Sequence, residues 1–348
     1  MNPHRRDRFV KILATGGGGY LGSVLVPLLL DSGHDVTVVD RFFFGESTLP
    51  NGNSRGRLTK VRDDTRWCGG HLFEEQDAVV DMAALSNDPA GALDPWKTFE
   101  INYLGRSRVA RLARQAHVRR YLMTSSCSVY GFQEGMLTES ATPKPLTDYA
   151  SANISIERDN LPLGNAEFCT TAVRFATLYG LSPRMRFDLA INGMVLGATR
   201  TGKIPVMRDG AQWRPFLHVR DAARAIAEVL TAPEDAVNRQ IFNVGSDDQN
   251  YQISPLAEEV SRSMTKPPAL EWYGDVDARS YRVSFEKVRT TLNFLPKLRP
   301  ADAVAEIERA LESGALKASP ETNTVGWYKH LLTDPAAGQE VALHGVVL

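Results

Sequence analysis

A run of glycines near the start does most to restrict how this chain can fold. The strand-like stretch Phe9–Thr15 leads straight into Gly16-Gly17-Gly18-Gly19-Tyr20-Leu21-Gly22, and the helical pattern Gly22–Ser32 follows at once. Glycines at 16, 19 and 22 give a tight turn, let backbone come close to a pyrophosphate, and pack the next helix against the strand. The helix start then offers unpaired N–H groups and partial positive charge to an anion. The next strand-like stretch, Asp35–Asp40, closes on an acid 18 residues after Gly22. A carboxylate there accepts hydrogen bonds from a ribose diol and repels a 2′-phosphate, which predicts NAD rather than NADP. Arg41, beside it, is the neighbour able to tolerate that phosphate. The expected cofactor-binding residues of this region are Gly16, Gly19, Tyr20, Leu21, Gly22, Asp40 and Arg41.

The rest of the first half keeps the alternation. Strand-like stretches at Ala78–Met82, Arg119–Thr124 and Thr171–Arg174 alternate with helical patterns at Pro95–His117 and Ala150–Asn160. That order predicts an α/β fold built on a doubly wound parallel (Rossmann) sheet. Beyond Gly180, proline and glycine come more often, and helical patterns at Val219–Leu230 and Ser254–Met264 are separated by long loops. The strand-like run Gln240–Gly245 is expected to return to the first sheet. The expected division is residues 1–178, with 216–246 returning to it, as the dinucleotide-binding domain. Residues 179–215 and 247–348 form a smaller C-terminal α/β substrate region.

Bulk properties exclude several classes of function. The 348 residues carry a formal net charge of −1, which gives no general attraction to nucleic acid or acidic membranes. The basic opening MNPHRRDRF is followed by a glycine-broken segment, so no signal peptide is expected. No run of about 18 apolar residues is present to span a membrane. Cys68, Cys127 and Cys169 fit neither a disulfide framework nor a metal site and suit a reducing cytosol, so a cytoplasmic protein is expected.

The Gly-x-x-Gly-x-x-Gly spacing, the Thr124-Ser125-Ser126-Cys127-Ser128-Val129-Tyr130-Gly131 stretch and Tyr149, 23 residues after Ser126, belong together. They resemble the extended short-chain dehydrogenase/reductase family, of the NAD-dependent nucleotide-sugar epimerase/dehydratase type, over nearly the whole chain. The resemblance implies that Asp64 holds the adenine amine, that Ala83-Ala84 form the small turn beside the cofactor, and that Asn102 is a structural asparagine. Arg174-Phe175-Ala176-Thr177-Leu178-Tyr179-Gly180 looks like the passage into the substrate region. It further implies that Ser126 hydrogen-bonds a sugar hydroxyl or ketone, and that Tyr149 moves the proton while the nicotinamide moves the hydride.

One element of that pattern is missing. The family reads Tyr-x-x-x-Lys, and this chain reads Tyr149-Ala150-Ser151-Ala152-Asn153. Positions i and i+4 share a helix face, so Asn153 stands where an ammonium is expected. A cation within about 4–6 Å lowers a neighbouring acid by roughly 1–3 units, and asparagine keeps only the hydrogen bond. Lys144, in the loop before Tyr149, is a cation near enough in sequence to reach in.

The residues after Ser126 select among reactions. Dehydratases of this family carry an Asp-Glu pair there and decarboxylases a glutamate at the second position, where this chain has Cys127 and Ser128. The serine-rich turn is similar to that of the 4-epimerases, which need only hydride removal, rotation of the ketone and hydride return. Cys127 is a candidate general acid. At the other end, Trp213-Arg214-Pro215-Phe216-Leu217-His218-Val219-Arg220-Asp221 and Asp277-Ala278-Arg279-Ser280-Tyr281-Arg282 resemble segments whose arginines meet a substrate diphosphate, since a guanidinium fork matches phosphate. Arg184, Arg186 and Asp188 are expected to line the sugar pocket, and His218 to fix a helix start. The reading is an NAD-dependent nucleotide-sugar epimerase that forms a homodimer. Its alternatives are a sugar dehydratase or ketoreductase, and a non-catalytic relative that binds NAD and nucleotide-sugar.

Overall fold

The computed structural model describes residues 10–51 and 54–348, so Phe9 and the basic opening lie outside the described residues. Seven strands form one parallel sheet: β1 (Lys11–Thr15), β2 (Asp35–Asp40), β3 (Leu58–Arg62), β4 (Ala78–Asp81), β5 (Arg120–Ser126), β6 (Cys169–Phe175) and β7 (Gln240–Val244). Their spatial order is β7-β6-β5-β4-β1-β2-β3. Strands β4 and β6 are buried along their whole length, as central strands are when helices cover both faces of a parallel sheet. On one face, α1 (Gly22–Asp31) and α4 (Val219–Thr231) join in a layer of Leu25, Val26, Leu29, Ala222, Ala225, Ile226 and Val229. On the other, Val109 and Ala113 of α2 (Arg106–Gln115) and Ile156 of α3 (Asp148–Asn160) pack on Leu13, Val79 and Tyr121.

The chain order reverses at β1, with β2 on one side and β4 on the other. Such a reversal opens a crevice beyond the carboxyl ends of the strands, which is where ligands of these sheets bind. The helix expected over Pro95–His117 is continuous from Pro95 to Gln115 but changes its winding midway. A wide π-type turn, Glu100–Gly105, separates Pro95–Phe99 from α2 and aims Asn102 inward.

The second half holds more regular structure than its proline and glycine content suggests. Lys203–Met207 pairs in parallel with Ala269–Tyr273, and Ser280–Val283 with Phe132–Leu137. Trp213–His218 lies between Thr177–Tyr179 and Asn250–Gln252. Helices Ala190–Thr201, Ile253–Ser263 and Pro300–Glu312 close over these strands around Met194, Val206, Phe216, Val260 and Ile307. These short strands pair with residues far away in the chain, which local patterning does not reveal.

Candidate active site

A cleft of about 790 Å3 lies where the chain order reverses. The glycine turn forms one end. Gly16 has φ +68, and a Cβ there would stand 2.7 Å from the Ala83 Cα, so the turns after β1 and β4 touch backbone to backbone. A Cβ at Gly22 would meet the Gly17 carbonyl oxygen at 2.4 Å, which keeps the helix tight on the turn. The backbone N–H groups of Tyr20 and Leu21 have no partner among the described residues, and both residues line the cleft. Those donors at a helix start fit the pyrophosphate of a dinucleotide. Asp40 accepts from Gly18 N at 2.9 Å and from Phe42 N at 2.7 Å, which fixes the carboxylate and leaves lone pairs for a ribose diol.

Two residues assigned to the cofactor, Asp64 and Arg41, have their side chains engaged by protein groups. Asp64 Oδ1 accepts from Arg66 N and Nε, both at 2.9 Å, and Oδ2 from Arg41 Nη1 and Arg66 Nη2, both at 2.8 Å. A carboxylate has about four acceptor sites, so Asp64 has none left for an adenine amine. Burial would raise its carboxyl, but the hydrogen bonds from Arg66 and Arg41 hold it below the usual range. Arg41 is itself buried and committed to Asp64 and to three carbonyls. Asn102 lies behind the cleft wall, where Oδ1 accepts from Leu85 N at 2.8 Å and Nδ2 donates to Leu85 O at 3.1 Å. It braces the loop after Ala83-Ala84.

The middle of the cleft brings Ser126, the last residue of β5, opposite Tyr149 in the first turn of α3. Thr147 caps that helix, its Oγ1 accepting from Ala150 N at 3.2 Å. Ser126 Oγ accepts from Ser128 N at 3.1 Å, so the same serine shapes the turn. Burial, and then the nearby Asp88 carboxylate, push the Tyr149 hydroxyl above the usual tyrosine range against weaker pulls from Asn153, Arg106 and Ser126. Asn153 is 3% exposed, and its Nδ2 donates to the Tyr149 carbonyl at 3.1 Å. No lysine lines the cleft among the described residues; Lys144 is exposed outside it. Arg106, whose charge also acts on Tyr149, is bound to Asp81 and to the carbonyls of Asp81 and Thr124.

Cys127 does not face the cleft. Its side chain is 1% exposed among Val129, Tyr130 and Phe175, and Sγ donates to the Arg174 carbonyl at 3.3 Å. Burial pushes the thiol far up, so the expected general acid is an inert core residue. Ser128, by contrast, lines the cleft with a buried, unpartnered Oγ.

At the far end, Arg214 Nη2 donates to Asp277 Oδ2 at 2.9 Å, and Arg279 grips the same carboxylate from Nε at 2.9 Å and Nη2 at 2.7 Å. Arg279 Nη1 also meets Asp88, whose other oxygen accepts from Thr147 Oγ1 at 2.5 Å. Two arginines and two aspartates thus form a neutral chain from the substrate region to the cap of the Tyr149 helix. Arg186 is held by Asp188 at 2.6 Å and by the Ser86 carbonyl at 2.9 Å. Arg184 has no carboxylate partner among the described residues; burial, and then Arg186, lower it to about 10. His218 caps α4, with Nδ1 accepting from Arg220 N at 3.1 Å and Nε2 lying 2.8 Å from Glu306. Burial pushes it down to about 4, so it is neutral. The sequence carries no sign that Asp88 and Asp277 pair with these arginines. The helix-start signature Asn87-Asp88-Pro89 marks a turn, but not the direction of its carboxylate.

A dinucleotide turn, a serine–tyrosine pair beside it and arginines across the cleft define an enzyme of the extended short-chain dehydrogenase type. Known proteins agree. The model of the NAD dependent epimerase/dehydratase family matches residues 12–245, and the chain belongs to that family. It is 27% identical over 276 residues to the UDP-glucose 4-epimerase of Corynebacterium glutamicum, covering 74% of this chain and 82% of that one. It is 26% identical over 305 residues to UDP-glucuronic acid decarboxylase 1 of Arabidopsis thaliana, covering 83% and 67%. The structure of MoeE5 in complex with UDP-glucose and NAD superposes with a TM-score of 0.76 at 25% identity, over 88% of this chain and 100% of that one. Fold, family and NAD as cofactor are those the sequence predicts.

Proposed function

We propose that this chain is an NAD-dependent 4-epimerase of a nucleotide-diphosphate sugar. The observation that carries this reading is the reacting end of the cleft, where Tyr149 faces Ser126 and no carboxylate stands at the two positions after it. Position 127 points into the core and position 128 is a serine, so elimination and decarboxylation lack their acids there. Epimerisation needs one hydroxyl proton removed and returned. NAD, when bound, supplies the acceptor and donor of the hydride. Gly16, Gly19, Tyr20, Leu21, Gly22 and Asp40 hold it, with Ala83 and Ala84 opposite. Tyr149 carries the proton, Ser126 hydrogen-bonds the sugar oxygen, and Asn153 steadies Tyr149 without lending charge. Arg214 and Arg279 receive the diphosphate and Arg186 lines the sugar pocket, within the expected substrate region of residues 179–215 and 247–348, whose last segment, Pro335–Leu348, packs beside Arg41 at the cofactor end instead.

The relatives named for UDP-sugars, and the similar structure solved with UDP-glucose and NAD, support a uridine diphosphate sugar as substrate. Exposed Trp96 (66%) and Phe99 (38%), stacked at 6.0 Å, support a homodimer through the helices around Pro95 and Ala150. No helix among the described residues is long and apolar enough to cross a membrane, and three unpaired buried cysteines suit the cytoplasm. A second reading, a protein that binds NAD and nucleotide-sugar without turnover, is favoured by one observation, the Tyr149 hydroxyl held above its usual range with no ammonium beside it among the described residues. Incubation with UDP-hexoses and separation of the C4 epimers tests both. Epimer formation that disappears in Tyr149→Phe supports the enzyme; tight binding without product supports the second reading.

A further inference from the structure

We propose that the segment Pro335–Leu348 sets the cofactor preference of the cleft, by holding Arg41 away from the adenosine ribose. The proposal rests on the NAD-binding reading of the cleft. An arginine directly after the acid that ends β2 stands beside the place of a ribose 2′-phosphate, and left free it accommodates that group. Here it is not free. Its side chain is 7% exposed, and Nη1 donates to Asp64 at 2.8 Å. Nη2 donates to the carbonyl oxygens of Val341 at 2.9 Å, Val346 at 2.8 Å and Val347 at 3.0 Å. Nε is buried without a partner.

The segment is shaped for this grip. Val341 ends the helix Pro335–Val341, so its carbonyl is among those left without an intrahelical donor, and a cation is favoured there. His344 and Gly345, at φ 52 and 77, make a two-residue turn closed by paired 3.0 Å bonds between Leu343 and Val346. That turn brings the next two carbonyls round to the same guanidinium. The segment is also anchored by other contacts. Leu348, 3% exposed, packs with Tyr328 and Leu331. Arg62 Nη2 donates to the Glu340 carbonyl at 2.6 Å, and the Trp67 and His344 rings meet edge to face at 5.4 Å. With Asp64 already filled by Arg66 and Arg41, the whole cluster is closed. A 2′-phosphate entering the cleft meets the Asp40 carboxylate and finds the adjacent Arg41 already committed. Lifting the segment removes three acceptors from Arg41 and returns its N–H groups to the ribose side.

The test compares dissociation constants for NAD and NADP on the cofactor-stripped 348-residue chain. Leu348→Asp places a charge in the apolar anchor. Gly338→Val places a Cβ 2.6 Å from the Leu331 carbonyl oxygen and undocks the helix independently. Hydrogen exchange over residues 343–348 reports release. The expected result is an NADP affinity raised about tenfold relative to NAD in whichever variant folds and releases the segment, with the gain abolished by adding Arg41→Ala. An unchanged NAD-to-NADP ratio with the segment released overturns the proposal, as does a gain that survives Arg41→Ala. A wild-type protein that binds neither dinucleotide instead overturns the reading of the cleft on which the proposal rests.

Discussion

The side-chain amide of Asn153 donates to the backbone carbonyl of Tyr149 at 3.1 Å, so the residue one turn after the tyrosine binds its own helix and lends no charge. Replacing it restores the cation on the same face. Asn153→Lys is predicted to lower the kinetic pKa of Tyr149 by about one unit or more, with turnover at pH 7 rising about tenfold per unit. A pH–rate profile of both proteins, with Tyr149→Phe as the blank, measures this. If lysine lowers turnover at every pH, asparagine is an adaptation of the site.

Asp88 acts on the same tyrosine in the opposite sense. Its negative charge disfavours the tyrosinate, and burial does so more strongly. Activity that depends on ionised Tyr149 therefore rises with pH and reaches no plateau below the usual tyrosine range, near pH 10. Asp88→Asn removes the charge but keeps an oxygen for the Thr147 hydroxyl. The rising limb of the pH–rate profile is predicted to shift to lower pH; a limb that stays in place would show that Asp88 has no electrostatic hold on Tyr149.

The sheet and the glycine turn were legible because their signals are local: apolar strands, glycines at fixed spacing and an acid closing β2. The cleft's charge pairing was not. Arg41 is held by residues 300 or more positions away, and Arg279 meets Asp88 across 191 positions. No spacing rule connects such residues. Cys127 was misplaced for a related reason. It stands between two cleft-lining serines, and only the tight turn after β5, where Ser126 Oγ accepts from Ser128 N, shows that its side chain faces the core.

Asp277 occupies both arginines that are proposed to receive the diphosphate. A diphosphate adds negative charge to a cluster that is already neutral, so it competes with this carboxylate for the arginines. Asp277→Asn is predicted to tighten UDP binding severalfold, measured by calorimetry. Arg279→Ala is predicted to weaken it by about 1.5–3 kcal/mol. Arg214→Ala should both weaken binding and lower Tm, because Arg214 also ties the Trp213 and Arg279 carbonyls together. Weaker UDP binding in Asp277→Asn would make Asp277 a group that orients the arginines.

Cys127→Ala should leave kcat/KM within about twofold, since the thiol is inert and faces away from the cleft. A buried sulfur lost from a packed core costs about 1–2 kcal/mol, which denaturant unfolding reports. A collapse of activity with the fold intact would return Cys127 to the chemistry.

The most direct measurement follows the fate of the C4 hydrogen. UDP-glucose deuterated at C4 is incubated with the NAD-loaded protein and the products are resolved by NMR and mass spectrometry. Transient hydride transfer within one closed site predicts the C4 epimer with its deuterium retained, no NADH accumulating in solution, and no product from Tyr149→Phe. A product stripped of deuterium, net release of NADH, or an epimer formed equally by Tyr149→Phe would contradict it.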